Sequence, residues 1–139
     1  MHLYVFTHRH HVIPSFRLIY AFACFRKGNF HVTMATSPLL KKGDPRPFAG
    51  VNFTYFTDKD GFARKMAPMA GQGPTWLGAM LTLKDKKGKD RLVATYVKVR
   101  KSMEVYEAGL CEFNPEKKIF EKRFTFPDTN DKRPAGHPL

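Results

Sequence analysis

From residue 51 onward, apolar and polar positions alternate in short runs separated by turn residues, which is the period of strands rather than helices. Val51, Phe53 and Tyr55 alternate with Asn52, Thr54 and Phe56, giving a strand with two usable faces. Asp58, Lys59, Asp60 and Gly61 follow. Such residues tolerate turn conformations, so Phe62 to Lys65 is expected to return as a short hairpin partner. Met66 to Pro74 holds Pro68, Gly71, Gly73 and Pro74 and reads as a loop.

Four longer runs come next. Trp76, Gly78, Met80 and Thr82 interleave with Leu77, Ala79, Leu81 and Leu83, so strict alternation makes both faces of this strand largely apolar. Leu92 to Val99 is apolar on both faces too, and strands of this kind are normally covered on both sides. Asp85 to Lys89, with Gly88, makes the polar loop between them. After a turn at Arg100 to Ser102, Met103 to Phe113 sets Val105, Cys111 and Phe113 against Tyr106, Ala108 and Leu110. Asn114, Pro115 and Glu116 turn the chain into Ile119 to Phe126. Glu121, Lys122 and Arg123 suit this last run to a sheet edge, where charge discourages pairing with other chains. The expected fold class is all-β, a four-stranded antiparallel meander with a preceding hairpin, and the tail after Pro127 reads as loop.

Residues 1–33 differ in kind. They contain no acidic residue, hold five of the six histidines and carry Arg9, Arg17, Arg26 and Lys27. Leu3 to Phe6 and Leu18 to Phe25 favour strand, although the second run suits a short helix equally. That run is eight residues long, against the roughly 20 of a membrane span. Arg26 and Lys27 stand where a small-residue cleavage site would follow a signal. No signal peptide or transmembrane segment is recognised, and the compartment stays open. Met34 is an alternative start that would make the leader dispensable. The chain thus divides into a basic leader at 1–33, a Pro/Gly-rich linker at 34–50 and an antiparallel β domain at 51–139.

Composition narrows this picture in two ways. Thirteen Phe, five Tyr and one Trp in 139 residues are enough for one folded domain. The 24 Lys and Arg against 12 Asp and Glu give a formal charge of +12, which favours acidic partners such as nucleic acid, anionic lipid or acidic polysaccharide without choosing among them. The basic clusters Lys84 to Lys89, Lys98 to Lys101 and Lys117 to Arg123 lie mostly in turns beside acids, as a solvated face does. No nucleic-acid-binding signature accompanies them. Cys24 and Cys111 belong to no repeated spacing and read as two thiols, a bridge between them being the alternative.

The stretch Gly73 to Phe126, GPTWLGAMLTLKDKKGKDRLVATYVKVRKSMEVYEAGLCEFNPEKKIFEKRFTF, resembles one blade of a glycosidase-like, carbohydrate-associated bacterial β-propeller. The inner strands of such a blade are sandwiched between neighbouring blades and its last strand lies outermost. The resemblance implies carbohydrate or further blades as partners, with oligomerisation as one route to closure. The segments around Trp76 and Tyr96 then need neighbours above and below, and either of them lying with one side open to water would remove the blade reading and the ranking of roles that rests on it. A closed propeller takes at least about four blades, and this chain supplies one, or parts of two.

Glycoside hydrolysis needs two carboxyl groups about 5 to 10 Å apart, which in the propellers it resembles come from several blades. The expected function is therefore a non-catalytic or incomplete propeller piece. A basic nucleic-acid-binding module and an inactive gene fragment are the alternatives. Glu107 interrupts an apolar face and is the leading carboxylate candidate for catalysis, set against a structural pairing with Arg91 or Lys98. Asp58 and Asp60 resemble the start of a calcium loop, but the ligands that would complete it are missing and Met69 stands where its final Glu belongs. Trp76 is a candidate sugar-stacking platform, weighed against core packing. His8 and His10 point the same way in an extended chain, with no third ligand identifiable. No metal site and no cofactor is expected.

Overall fold

The computed structural model describes residues 17–26, 29–38, 52–100, 102 and 104–127, with side chains described from residue 31 onward. The His8, His10 and tail readings lie outside these residues, and Cys24 is described in backbone only. No helix occurs among the described residues, so none could cross a membrane. The strands are β1 (Arg17–Arg26), β2 (Asn29–Pro38), β3 (Thr54–Tyr55), β4 (Thr75–Lys84), β5 (Asp90–Val99), β6 (Val105–Asn114) and β7 (Ile119–Thr125). They form a three-stranded sheet ordered β1-β2-β3 and a four-stranded antiparallel sheet ordered β4-β5-β6-β7.

The four-stranded meander is the one the alternation predicts, with charged β7 at an edge. Its turns are closed by short polar side chains. Asp85 Oδ1 accepts from the amides of Lys87 and Lys89 at 2.8 and 3.0 Å. Asn114 Oδ1 accepts from those of Glu116 and Lys117 at 3.0 and 3.1 Å. Both residues hold the chain in turn geometry by bonding their own backbone.

Three boundaries need correction. Of the expected strand over 51–56, the described residues 52–56 are strand only at Thr54–Tyr55, which pairs with β2. The expected hairpin beyond it forms around the turn at Gly61, through the bridge Thr57 to Ala63 and the amides of Asp58 and Arg64 donating to the carbonyls of Phe62 and Phe56, both at 2.8 Å. The expected break at Met34 does not separate two structural regions, because β2 runs through it and pairs with β1 over ten positions. Ser37 and Pro38, assigned to the linker, end this strand. Proline is tolerated there because a strand terminus needs no donor at that position. Leu18 to Phe25 is strand, so the helical alternative falls.

One core joins both sheets. Val32 and Met34 from β2, Met66, Ala67 and Met69 from the segment after the hairpin, and Met80, Leu92, Tyr96, Cys111 and Phe120 from the second sheet share it. The amide of Met66 donates to Val32 O at 3.0 Å and its carbonyl accepts from the amide of Phe120 at 2.7 Å. Residue 66 therefore bridges β2 and the edge strand β7. Met34, Met66 and Phe120 are almost wholly buried, each worth roughly 1.5–3 kcal/mol of apolar transfer.

A bulge between Leu77 and Met80 overturns the expected faces of β4. Leu77 pairs with Tyr96 and Met80 with Ala94, so both face the core. One extra residue in a strand with side-chain period two moves every later side chain to the other face. Trp76, Leu81 and Leu83 consequently share the outer face, opposite Val97, Val93 and Arg91. Leu110 and Phe124, paired on β6 and β7, lie there too. Leu81, Leu83 and Phe124 are 53, 51 and 51% exposed, so the outer face of the sheet stands half open.

Candidate functional site

Glu107, the leading carboxylate candidate, sits on β6 directly across from Lys98 of β5. Neither of the partners expected for it takes it. Its Oε1 accepts from Lys122 Nζ and from the Tyr96 hydroxyl, both at 2.8 Å. Tyr96 also lies 3.1 Å from Thr125 Oγ1. Burial raises the Glu107 pKa, but the Lys122 and Tyr96 hydrogen bonds and the nearby ammonium charges outweigh it and hold the carboxyl below its usual value. An ionised, cation-paired carboxylate is a poor general acid. Tyr96 is shifted up by burial before anything else, and a phenol held neutral on the core side of a sheet has a structural part to play here.

A second bulge, between Leu110 and Cys111, brings this cluster together. Gly109 pairs with Thr125 and Cys111 with Lys122, which places Arg123 as the extra residue. In a regular strand Thr125 and Lys122 would point to opposite faces. With the bulge both reach Tyr96 and Glu107, while Phe124 turns outward. Gly109 packs beneath the same ring: a Cβ there would meet Tyr96 Cε1 at 2.8 Å and collide with the Phe124 carbonyl.

The sequence pattern places Lys98 in a basic cluster on a solvated face, and its burial corrects that expectation. Lys98 has no exposed surface, and its Nζ donates to the carbonyls of Met69 at 3.1 Å and Gly71 at 3.4 Å. Tyr106 donates to the Gln72 carbonyl at 2.7 Å. The two side chains pin the segment from Met66 to Pro74 against the sheet. Desolvation lowers the Lys98 pKa, opposed by the charge of Glu107 and aided by those of Lys65 and Lys122. A signal existed in the sequence, because Lys98 continues the period-two series Leu92, Ala94, Tyr96 that faces the core.

The other candidates are not gathered around Glu107. The amide of Gly61 donates to Asp58 O at 2.9 Å and that of Phe62 to Asp60 Oδ1 at 3.1 Å, while Asp58 lies 3.6 Å from Arg64. These two acids close a turn. No group of three or more His, Cys, Asp or Glu that could hold a metal ion occurs among the described residues. Trp76 is half-buried on the outer face and absent from the shared core. Cys111 is fully buried, its Sγ donating to Ala94 O at 3.4 Å, and burial pushes its thiol up to about 12. It is not a nucleophile in the folded chain.

At the far end of the sheet a groove of about 370 Å³ runs between the two hairpin tips, past Arg91, Glu112 and Arg123. Glu112 is clasped from both sides, by Arg91 Nε and by Arg123 Nε at 3.0 Å. The Arg91 hydrogen bond comes first among the causes that, against desolvation, keep its carboxyl below the usual range. Asp85, Asp90, Glu104 and Glu121 likewise lie within 4 Å of a cation. The carboxylates of the sheet are thus engaged in ion pairs, and no acid–base pair poised across a substrate space emerges among the described residues. No family model, no curated protein and no solved structure matches the chain.

Proposed function

We propose that this chain is a non-catalytic sheet module, a piece of a larger stacked-sheet assembly. The observation that carries the reading is the outer face of β4–β7, where Trp76, Leu81, Leu83, Val97, Leu110 and Phe124 present an apolar surface that is half open. An exposed contiguous apolar surface on a folded domain marks an interaction face. The order of the chain supports the same reading, since two consecutive antiparallel meanders share one core, as successive sheets of a stack do.

The open outer face counts against the blade resemblance itself, which requires the segments around Trp76 and Tyr96 to be covered on both sides. The missing cover is therefore assigned to the sheet of a second copy. Glu107 and Glu112 serve this module as structural ions, each neutralised by basic side chains. Sedimentation of the full chain in moderate salt tests the proposal, with the salt screening the +12 charge. Concentration-dependent association is expected, and the double substitution Leu81→Asp, Phe124→Asp should abolish it without unfolding the protein. A chain that stays monomeric at all concentrations, or that cleaves glycosides at enzyme-like rates, overturns it.

A further inference from the structure

The two hairpin tips of the four-stranded sheet, residues 85–89 and 115–118, lie at the same end because each joins antiparallel neighbours in an unbroken meander. At the ~4.8 Å spacing of adjacent strands the tips are about 10 Å apart, and the groove between them is lined from both sides, by Lys89 and by Glu116.

The charges here sort into two sets. Arg91 is held by Glu112 and Asp85, and Arg123 by Glu112. Lys84 bonds Asp90 at 2.9 Å and Lys117 bonds Glu121 at 2.7 Å. Lys86, Lys87, Lys89 and Lys118 are exposed and have no carboxylate partner among the described residues, and Glu116 is the sole acid there without a cation.

We infer that these two tips form a sequence-independent binding site for the phosphate backbone of duplex nucleic acid. Lysine is a compact, strongly hydrated point charge without the planar fork that reads a base edge, and the arginines that could do so are occupied. A membrane surface fits poorly, because Pro115 is the only apolar side chain on the tips and interfacial anchoring draws on buried apolar area. Four undirected charges gain most from the densest polyanion. Duplex DNA, with one charge per roughly 1.7 Å and its condensed counterions, meets that need.

Anisotropy of a labelled duplex with the full chain tests the site. Four phosphate contacts predict a slope of log K against log salt of about −3 to −4, a loss of roughly a hundredfold between about 50 and 200 mM salt. Substituting Lys86, Lys87, Lys89 and Lys118 by Gln should flatten that slope and weaken binding at least about tenfold. Lys59→Gln with Lys65→Gln, outside both tips, should leave it unchanged. Lysine acetylation footprinting of the unaltered chain gives an answer that does not depend on a variant folding, with the four tip lysines protected by duplex. Equal binding by the tip variant, unprotected tip lysines, strong preference among duplex sequences, or tighter binding to a sulfated polysaccharide or an anionic vesicle would overturn the inference.

Discussion

Lys98 and Glu107 face each other across β5 and β6, yet each bonds elsewhere: the ammonium to the carbonyls of Met69 and Gly71, the carboxylate to Lys122 and Tyr96. The sheet therefore uses its buried cation to fasten a loop and its neighbouring anion to fasten an edge strand.

Replacing Lys98 by Met should lower the urea midpoint by the equivalent of about 1–3 kcal/mol, because two carbonyls lose their donor. Amide exchange should rise over residues 66–73. Desolvation lowers the Lys98 pKa from 10.5, so between its folded value and 10.5 the unfolded chain binds more protons and stability rises with pH. Lys98→Met should lack that rise. A midpoint unchanged by the substitution would mean that the Met66 backbone bonds alone hold the loop.

Acid should act through Glu107 with the same sign, stability again rising with pH, in a window at the acid end. Its folded pKa lies below the usual 4.5, so its contribution is complete above 4.5 and is lost as pH falls through the folded value. Thermal melts of Glu107→Gln across this window should show a shallower decline than those of the unaltered chain. Parallel declines would assign the acid sensitivity to other groups, Glu112 first among them.

Gly109→Ala should destabilise by about 1–3 kcal/mol, the usual cost of overpacking. The methyl would meet the Tyr96 ring and a main-chain carbonyl of β7, which cannot move without opening the bulge. Chemical denaturation measures the cost. A near-neutral result would show that β7 shifts freely against β6.

A chain starting at Met34 should fail to reach the native state, since it lacks β1, Val32 and half of β2. Near-ultraviolet circular dichroism and Trp76 fluorescence report the loss. A native spectrum from the shortened chain would restore the reading of the leader as dispensable.

The sequence by itself determined the all-β class, the four-stranded meander, its turns and the placing of a charged strand at the edge. These follow from side-chain alternation and from Asp, Asn and Gly acting on their own backbone, interactions that span a few residues. The tertiary structure decided the rest. Two single-residue bulges, at Gly78–Ala79 and at Arg123, reversed which side chains of β4 and β7 meet the core, and alternation cannot foretell where a strand will slip by one. Glu107 found Lys122 rather than Arg91 or Lys98 because the second bulge swung that ammonium onto its face. Lys98 was buried by a loop folding back from 27 and 29 positions earlier in the chain, and β2 joined the core through Met66. Such contacts form between segments distant in sequence, where local pattern carries no information about what will be brought together.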